Sequence, residues 1–163
     1  MTKTIEIQKT DAEIAYKNAD ESGKKLLENL LGKENILPLK VTERIKTFND
    51  VLKELGIVTP SKQMLLDYSG TDPDVISSCA HLKLTLIARV LNEGWKPDWT
   101  NTNEYKYVPW FKHKSGFGLS FYAYGRWRTD SRVGSRLCFK SREVAQHVFE
   151  TFKELYEDYL LIG

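Results

Sequence analysis

The sequence predicts an α+β fold in which N-terminal helices are followed by a three-stranded antiparallel meander packed by a C-terminal helix. Three observations predict it. Apolar residues recur at helical spacing up to Gly94, alternate singly beyond Trp99, and return to helical spacing after Ser141. A helical appendage over residues 1–40 is expected to precede a single α+β domain over residues 41–163.

From Asp11 to Leu31, Ile14, Ala15, Ala19, Leu26, Leu27, Leu30 and Leu31 keep a helical rhythm that Asp20-Glu21-Ser22-Gly23 interrupts and Gly32 closes. One broken helix or two short ones fits. Thr42 is an N-cap for a helix carrying Ile45, Phe48, Val51, Leu52 and Leu55 at i, i+3, i+4, i+7 spacing, with Gly56 at its stop. Thr59-Pro60 opens a short helix through Tyr68, capped by Ser61. Asp72 and Pro73 then stand at the N-cap and N1 of the longest helix, whose apolar positions from Val75 to Leu91 are dense enough for burial on most sides before Gly94.

Alternation then marks three strands, Tyr105 to His113, Phe117 to Arg128, and Arg136 to Lys140. Ser115-Gly116 makes the first turn, and Thr129 to Ser135 is a charged connection. Pro109 interrupts the first strand's ladder and marks an edge or bulge. Ser141 caps a last helix whose stripe, Val144, Ala145, Val148, Phe149, Phe152, Leu155, Tyr156 and Tyr159, can cover one sheet face.

Charge is unevenly placed. Glu104 to Lys140 holds ten of the nineteen aromatic residues and eight Lys/Arg but only two acids, against fourteen bases and fifteen acids before it and two bases and five acids after it. The net +2 therefore hides a cationic, ring-rich stretch. With 41% hydrophobic and 28% charged residues, the chain has the composition of a folded globular protein. No run reaches the roughly 18 apolar residues of a membrane span, and the opening residues lack a secretory h-region, so no membrane partner and a cytoplasmic address are expected. Cys79 and Cys138 lack any zinc or redox spacing and are expected as reduced thiols.

Strict alternation in the second strand puts Phe117, Leu119, Phe121, Ala123 and Trp127 on a core face and Ser120, Tyr122, Tyr124, Arg126 and Arg128 on a display face. In the third strand, Leu137 and Phe139 join the core while Arg136, Cys138 and Lys140 face outward. Lys112 and Lys114 extend the display face. Rings beside cations suit single-stranded nucleic acid or another polyanion: Tyr122 and Tyr124 would stack bases, and Arg126, Arg128, Arg132, Arg136 and Lys140 would meet phosphates. The plainer reading has the same rings bracing cross-strand neighbours beneath Arg stems. Trp95 is expected to seal the helix-to-sheet junction and Trp110 to anchor a protein partner or a second copy of the chain.

No enzyme motif emerges. His81, His113 and His147 fall on separate elements without metal-ligand spacing, Gly116-Phe117-Gly118 is no dinucleotide fingerprint, and no cofactor is expected. His81 reads as a satisfied core ring and His147, near Glu143 and Glu150, as solvated or ion-paired. A helix-turn-helix over Leu52 to Leu65 fits poorly because Lys62 stands where such motifs bury an apolar residue.

Four stretches, Val41–Asp50 (VTERIKTFND), Leu91–Trp99 (LNEGWKPDW), Tyr105–Phe111 (YKYVPWF) and Val133–Arg142 (VGSRLCFKSR), together resemble an uncharacterised group of proteins associated with phages and mobile elements of gut bacteria. The similarity runs from about Asp11 onward. It implies a cytosolic accessory protein of a phage-like module, with a nucleic-acid or assembly partner, and brings no catalytic residue.

Overall fold

The computed structural model describes residues 6–36, 40–56, 66–114 and 118–161. The chain divides into two compact units, Met1–Lys40 and Val41–Gly163.

The first unit holds α1 (Lys9–Asn18), α2 (Glu21–Leu31) and α3 (Lys33–Ile36). The break falls at Ala19-Asp20 rather than across the expected Asp20 to Gly23, because Asp20 caps α2 by accepting from the Gly23 N–H at 2.8 Å and so draws Gly23 into the helix. The Tyr16 hydroxyl donates to Glu28 Oε1 at 2.6 Å and ties α1 to α2.

In the second unit, the helix expected from Thr42 to Leu55 is two: α4 (Val41–Arg44) and α5 (Phe48–Leu55). Thr47 accepts from the Asp50 N–H while the Asp50 carboxylate accepts from the Thr47 N–H, a reciprocal capping box that starts a new helix inside an unbroken apolar stripe. Gly56, left-handed at φ 62°, stops α5. The expected Thr59 to Tyr68 helix and the second half of the Leu52 to Leu65 motif lie largely outside the described residues.

Next comes α6 (Pro73–Leu91), whose N-cap Asp72 accepts from the Asp74 and Val75 N–H groups. It packs against α7 (Arg142–Leu160), capped by Ser141 accepting from the Val144 N–H, a bond worth about 1 kcal/mol. Leu84, Ile87 and Leu91 of α6 share the core with Val144, Ala145 and Val148 of α7 and with Leu119 and Phe139. Among the described residues, no helix is long and apolar enough to cross a membrane.

The strands β1 (Lys106–Lys114) and β2 (Gly118–Trp127) form an antiparallel hairpin, and Phe139 adds a third antiparallel neighbour on the far side of β1. The Tyr107 N–H donates to the Phe139 carbonyl at 3.0 Å and the Phe139 N–H to the Tyr107 carbonyl at 2.8 Å. Two residues on, Pro109 points its ring nitrogen to the same side and has no N–H to give, so this pairing stays a single bridge. Pro109 thus sits in the middle strand without losing a ladder bond.

A bulge between Trp110 and Phe111 resets the register. Trp110 pairs with Ala123 but Phe111 with Phe121, so Tyr122 is the extra residue. Its consequence reverses the faces expected from strict alternation. Tyr124 and Arg126, opposite Pro109 and Tyr107, share a face with Leu119, while Ala123, Gly125 and Trp127 share the other with Ser120. Helix α7 runs along the first of these faces, since Phe111 meets the Phe149 and Tyr156 rings at 5.6 and 4.8 Å and the Glu157 carboxylate accepts from the Leu119 N–H at 2.9 Å. Cys138, expected to face outward, is fully buried, and burial pushes its thiol up to about 11.

Candidate nucleic-acid interface

The bulge brings residues from three elements into one row along the edge of the face that α7 covers. The Tyr105 ring lies 6.3 Å from Tyr107, and Tyr107 lies 5.9 Å from Tyr124. Guanidiniums sit on both ends. Arg126 and Arg128 lie 5.1 and 4.8 Å from the Tyr105 ring centre, and Arg142, at the start of α7, lies 4.7 Å from Tyr124. Each such contact is worth about 0.5–1 kcal/mol at an exposed site. Arg128 Nη2 also donates to the Tyr105 hydroxyl at 2.6 Å. That bond, with the charges of Arg128 and Arg126, holds the Tyr105 hydroxyl below the usual phenol range, as a local positive potential should.

The arginines are positioned yet electrically unspent. Arg126, Arg128, Arg132, Arg136 and Arg142 are all exposed, and among the described residues none has a carboxylate within ion-pair distance. Neither β1 nor β2 contains an Asp or Glu. Arg142 also lines an open polar cleft of about 650 Å³ between α4 and α7, where Lys46 and His147 stand with the carboxyl residues Glu43, Glu143 and Glu150.

The other residues singled out from sequence are scattered. Arg132 lies 5.4 Å from the Trp127 ring, on the opposite face, and Arg136 stands in the loop before the third segment. Lys140 is neutralised by Glu93 at 2.5 Å, and that ammonium, joined by Arg44, holds the Glu93 carboxyl below its ordinary range. Lys112 and Tyr122 meet each other, ammonium over ring at 3.9 Å, away from the arginine row. Lys114 ends β1 opposite Gly118. Trp110 is 45% exposed and Tyr122 56%.

Comparison of the chain with protein-family models, curated proteins and solved structures finds no match to any of the three. The surface chemistry must therefore carry the functional reading alone.

Three members of the row, Tyr105, Tyr107 and Arg142, escaped the sequence reading. A signal existed for the tyrosines, which alternate on the face of Phe111. Arg142 had none, because only the fold brings the first turn of α7 onto Tyr124.

The histidines also find their places. His147 is half-buried, neither solvated nor ion-paired: its Nε2–H donates to the Ile45 carbonyl at 2.8 Å, which fixes the tautomer because a carbonyl can only accept. Burial holds its pKa below the ordinary imidazole value. His81 stacks on Tyr159 at 5.0 Å. Trp95 is half-buried and its indole N–H donates to Glu104 at 3.4 Å. Among the described residues, no three His, Cys, Asp or Glu converge as a metal site would require.

Proposed function

We propose that this chain is a non-enzymatic binding module of a phage-like system whose hairpin engages nucleic acid, single-stranded in preference, or another polyanion. The observation that carries the reading is the row of guanidiniums on Tyr105 and Tyr124 that lack any carboxylate partner among the described residues. An arginine stacked on a ring has already lost part of its rotamer freedom, so less entropy remains to be lost when it meets a phosphate. Arg126, Arg128 and Arg142 are the proposed phosphate contacts, with Arg132 and Arg136 adding to the field around them.

Fluorescence anisotropy of labelled single-stranded and duplex oligonucleotides, titrated from low to moderate salt, tests this. Micromolar binding that weakens steeply with salt is the expected result, because each phosphate contact releases counterions. No binding at low salt would overturn the reading.

A further inference from the structure

The face of the hairpin turned away from α7 carries a second, different set of rings. Trp110 pairs with Ala123 and leans diagonally over Gly125: a Cβ built at Gly125 would stand 2.5 Å from the indole Nε1 and 3.1 Å from Cε2. Only glycine lets the indole lie against the strand, which leaves its other side open to solvent. Tyr122, the extra residue of the bulge, stands beside Ala123 with the Lys112 ammonium over its ring. Trp110 and Lys112, two apart on β1, share this face.

We infer that this face is a base-stacking platform, and that a single strand held on Arg126 and Arg128 crosses the outer edge of β2 to lay bases on Trp110 and Tyr122. The inference rests on the proposed function and deepens it. Stacking has little room in the arginine row, because Tyr105 carries two guanidiniums and Tyr124 is flanked by Arg142 and the Tyr107 ring, whereas a single cation, Lys112, lies over Tyr122 and none lies over Trp110 among the described residues. Trp110 and Tyr122 are the large aromatic side chains of the hairpin left most exposed among the described residues. Both surfaces meet at β2, which among the described residues pairs only with β1, and which carries Arg126 on one face and Tyr122 towards the other. The hairpin's lack of acids makes the whole path attractive to phosphates. A duplex, with a persistence length of about 150 base pairs, cannot fold around one strand edge, whereas a single strand can. The occupant of the platform is therefore unpaired nucleic acid.

The test compares a labelled thymine-only strand with an abasic strand of the same length. In the full-length chain, Trp110→Leu and Tyr122→Ser are each expected to weaken the thymine strand about tenfold while leaving the abasic strand unchanged. An Arg126→Ala, Arg128→Ala double variant is expected to weaken both strands. Tyr122→Ser removes an exposed ring and its contact with the Lys112 ammonium, so it reports even if Trp110→Leu misfolds. Equal wild-type affinity for the two strands would overturn the platform and leave the arginine row standing. Loss of self-association in Trp110→Leu without loss of thymine binding would also overturn it, assigning the indole to a second copy of the chain. A wild-type protein that binds neither strand removes both readings together.

Discussion

The Asn92 side chain stands in for a missing β-strand: its Nδ2 donates to the Cys138 carbonyl at 2.9 Å, and its Oδ1 accepts from the Lys140 N–H at 3.0 Å. Phe139 between them turns its own backbone groups to Tyr107. One amide at the end of α6 thus satisfies the outer edge of a segment whose inner edge has one bridge. Asn92 is buried, so Asn92→Ala leaves the Cys138 carbonyl and Lys140 N–H without their partner. The expected cost is about 1–3 kcal/mol, read from the urea midpoint. Asn92→Asp is expected to fare no better, since it keeps the acceptor, loses the donor and buries a charge.

The arginine row and Lys140 should separate in salt dependence. Arg142→Ala is expected to lower the slope of log affinity against log salt by about one for an oligonucleotide probe. Lys140→Ala should barely change that slope, because Glu93 already neutralises the ammonium at 2.5 Å. The arginine variant should unfold within about 1 kcal/mol of wild type, since an exposed cation–π contact is all it removes. Equal slope changes in the two variants would show that ion pairing does not decide which cations meet phosphate.

How far the sequence reached depended on how local each determinant is. Helices α6 and α7 were legible with their caps because Asp72, Ser141 and their apolar stripes lie within a few residues of what they control. Thr47 and Asp50 were equally local, yet the stripe from Ile45 to Leu55 runs through the break, and the apolar period masked the capping box. Tyr122 was harder. Nothing at that position announces a bulge, and one unannounced residue exchanges the faces of Tyr124 and Ala123. The composition of the candidate interface was visible as a cationic, aromatic stretch. Its geometry was not, because Arg142 comes from another element and Lys140 is silenced by a glutamate 47 residues away.

His147 should make stability fall in mild acid. Its folded pKa is held below the unfolded value of about 6.5, so the folded state disfavours the imidazolium. The contribution is fully present above the unfolded pKa and is lost as pH falls through the lower folded value. The structural reason is plain, since half-burial disfavours the charged ring while Thr151 completes the neutral one by approaching Nδ1 at 3.4 Å. His147→Gln is expected to flatten the fall in thermal midpoint between about pH 7 and pH 5. An unchanged profile would show that His147 does not carry the acid loss of stability.

Lys106 should prove structural despite its place in the cationic stretch. Its side chain is 0% exposed, and its ammonium donates to the carbonyls of Asp98 and Glu104, reaches the Glu104 carboxylate at 3.0 Å and lies 5.4 Å from the Trp99 ring. One cation thereby closes the loop between α6 and β1. Burial would raise the Glu104 carboxyl, but the Asp98 N–H and the Lys106 ammonium outweigh it and hold the group ionised. Lys106→Met keeps the apolar stem and removes the donor, at an expected cost on the order of 3 kcal/mol, softened by solvent reaching the carboxylate left behind. Adding Glu104→Gln should recover part of the loss, and a double-mutant cycle measures the coupling. Because the Lys106 charge is satisfied internally, the folded fraction of Lys106→Met should keep the wild-type salt slope for oligonucleotide binding. A reduced slope would mean that the loop opens to present this lysine to phosphate.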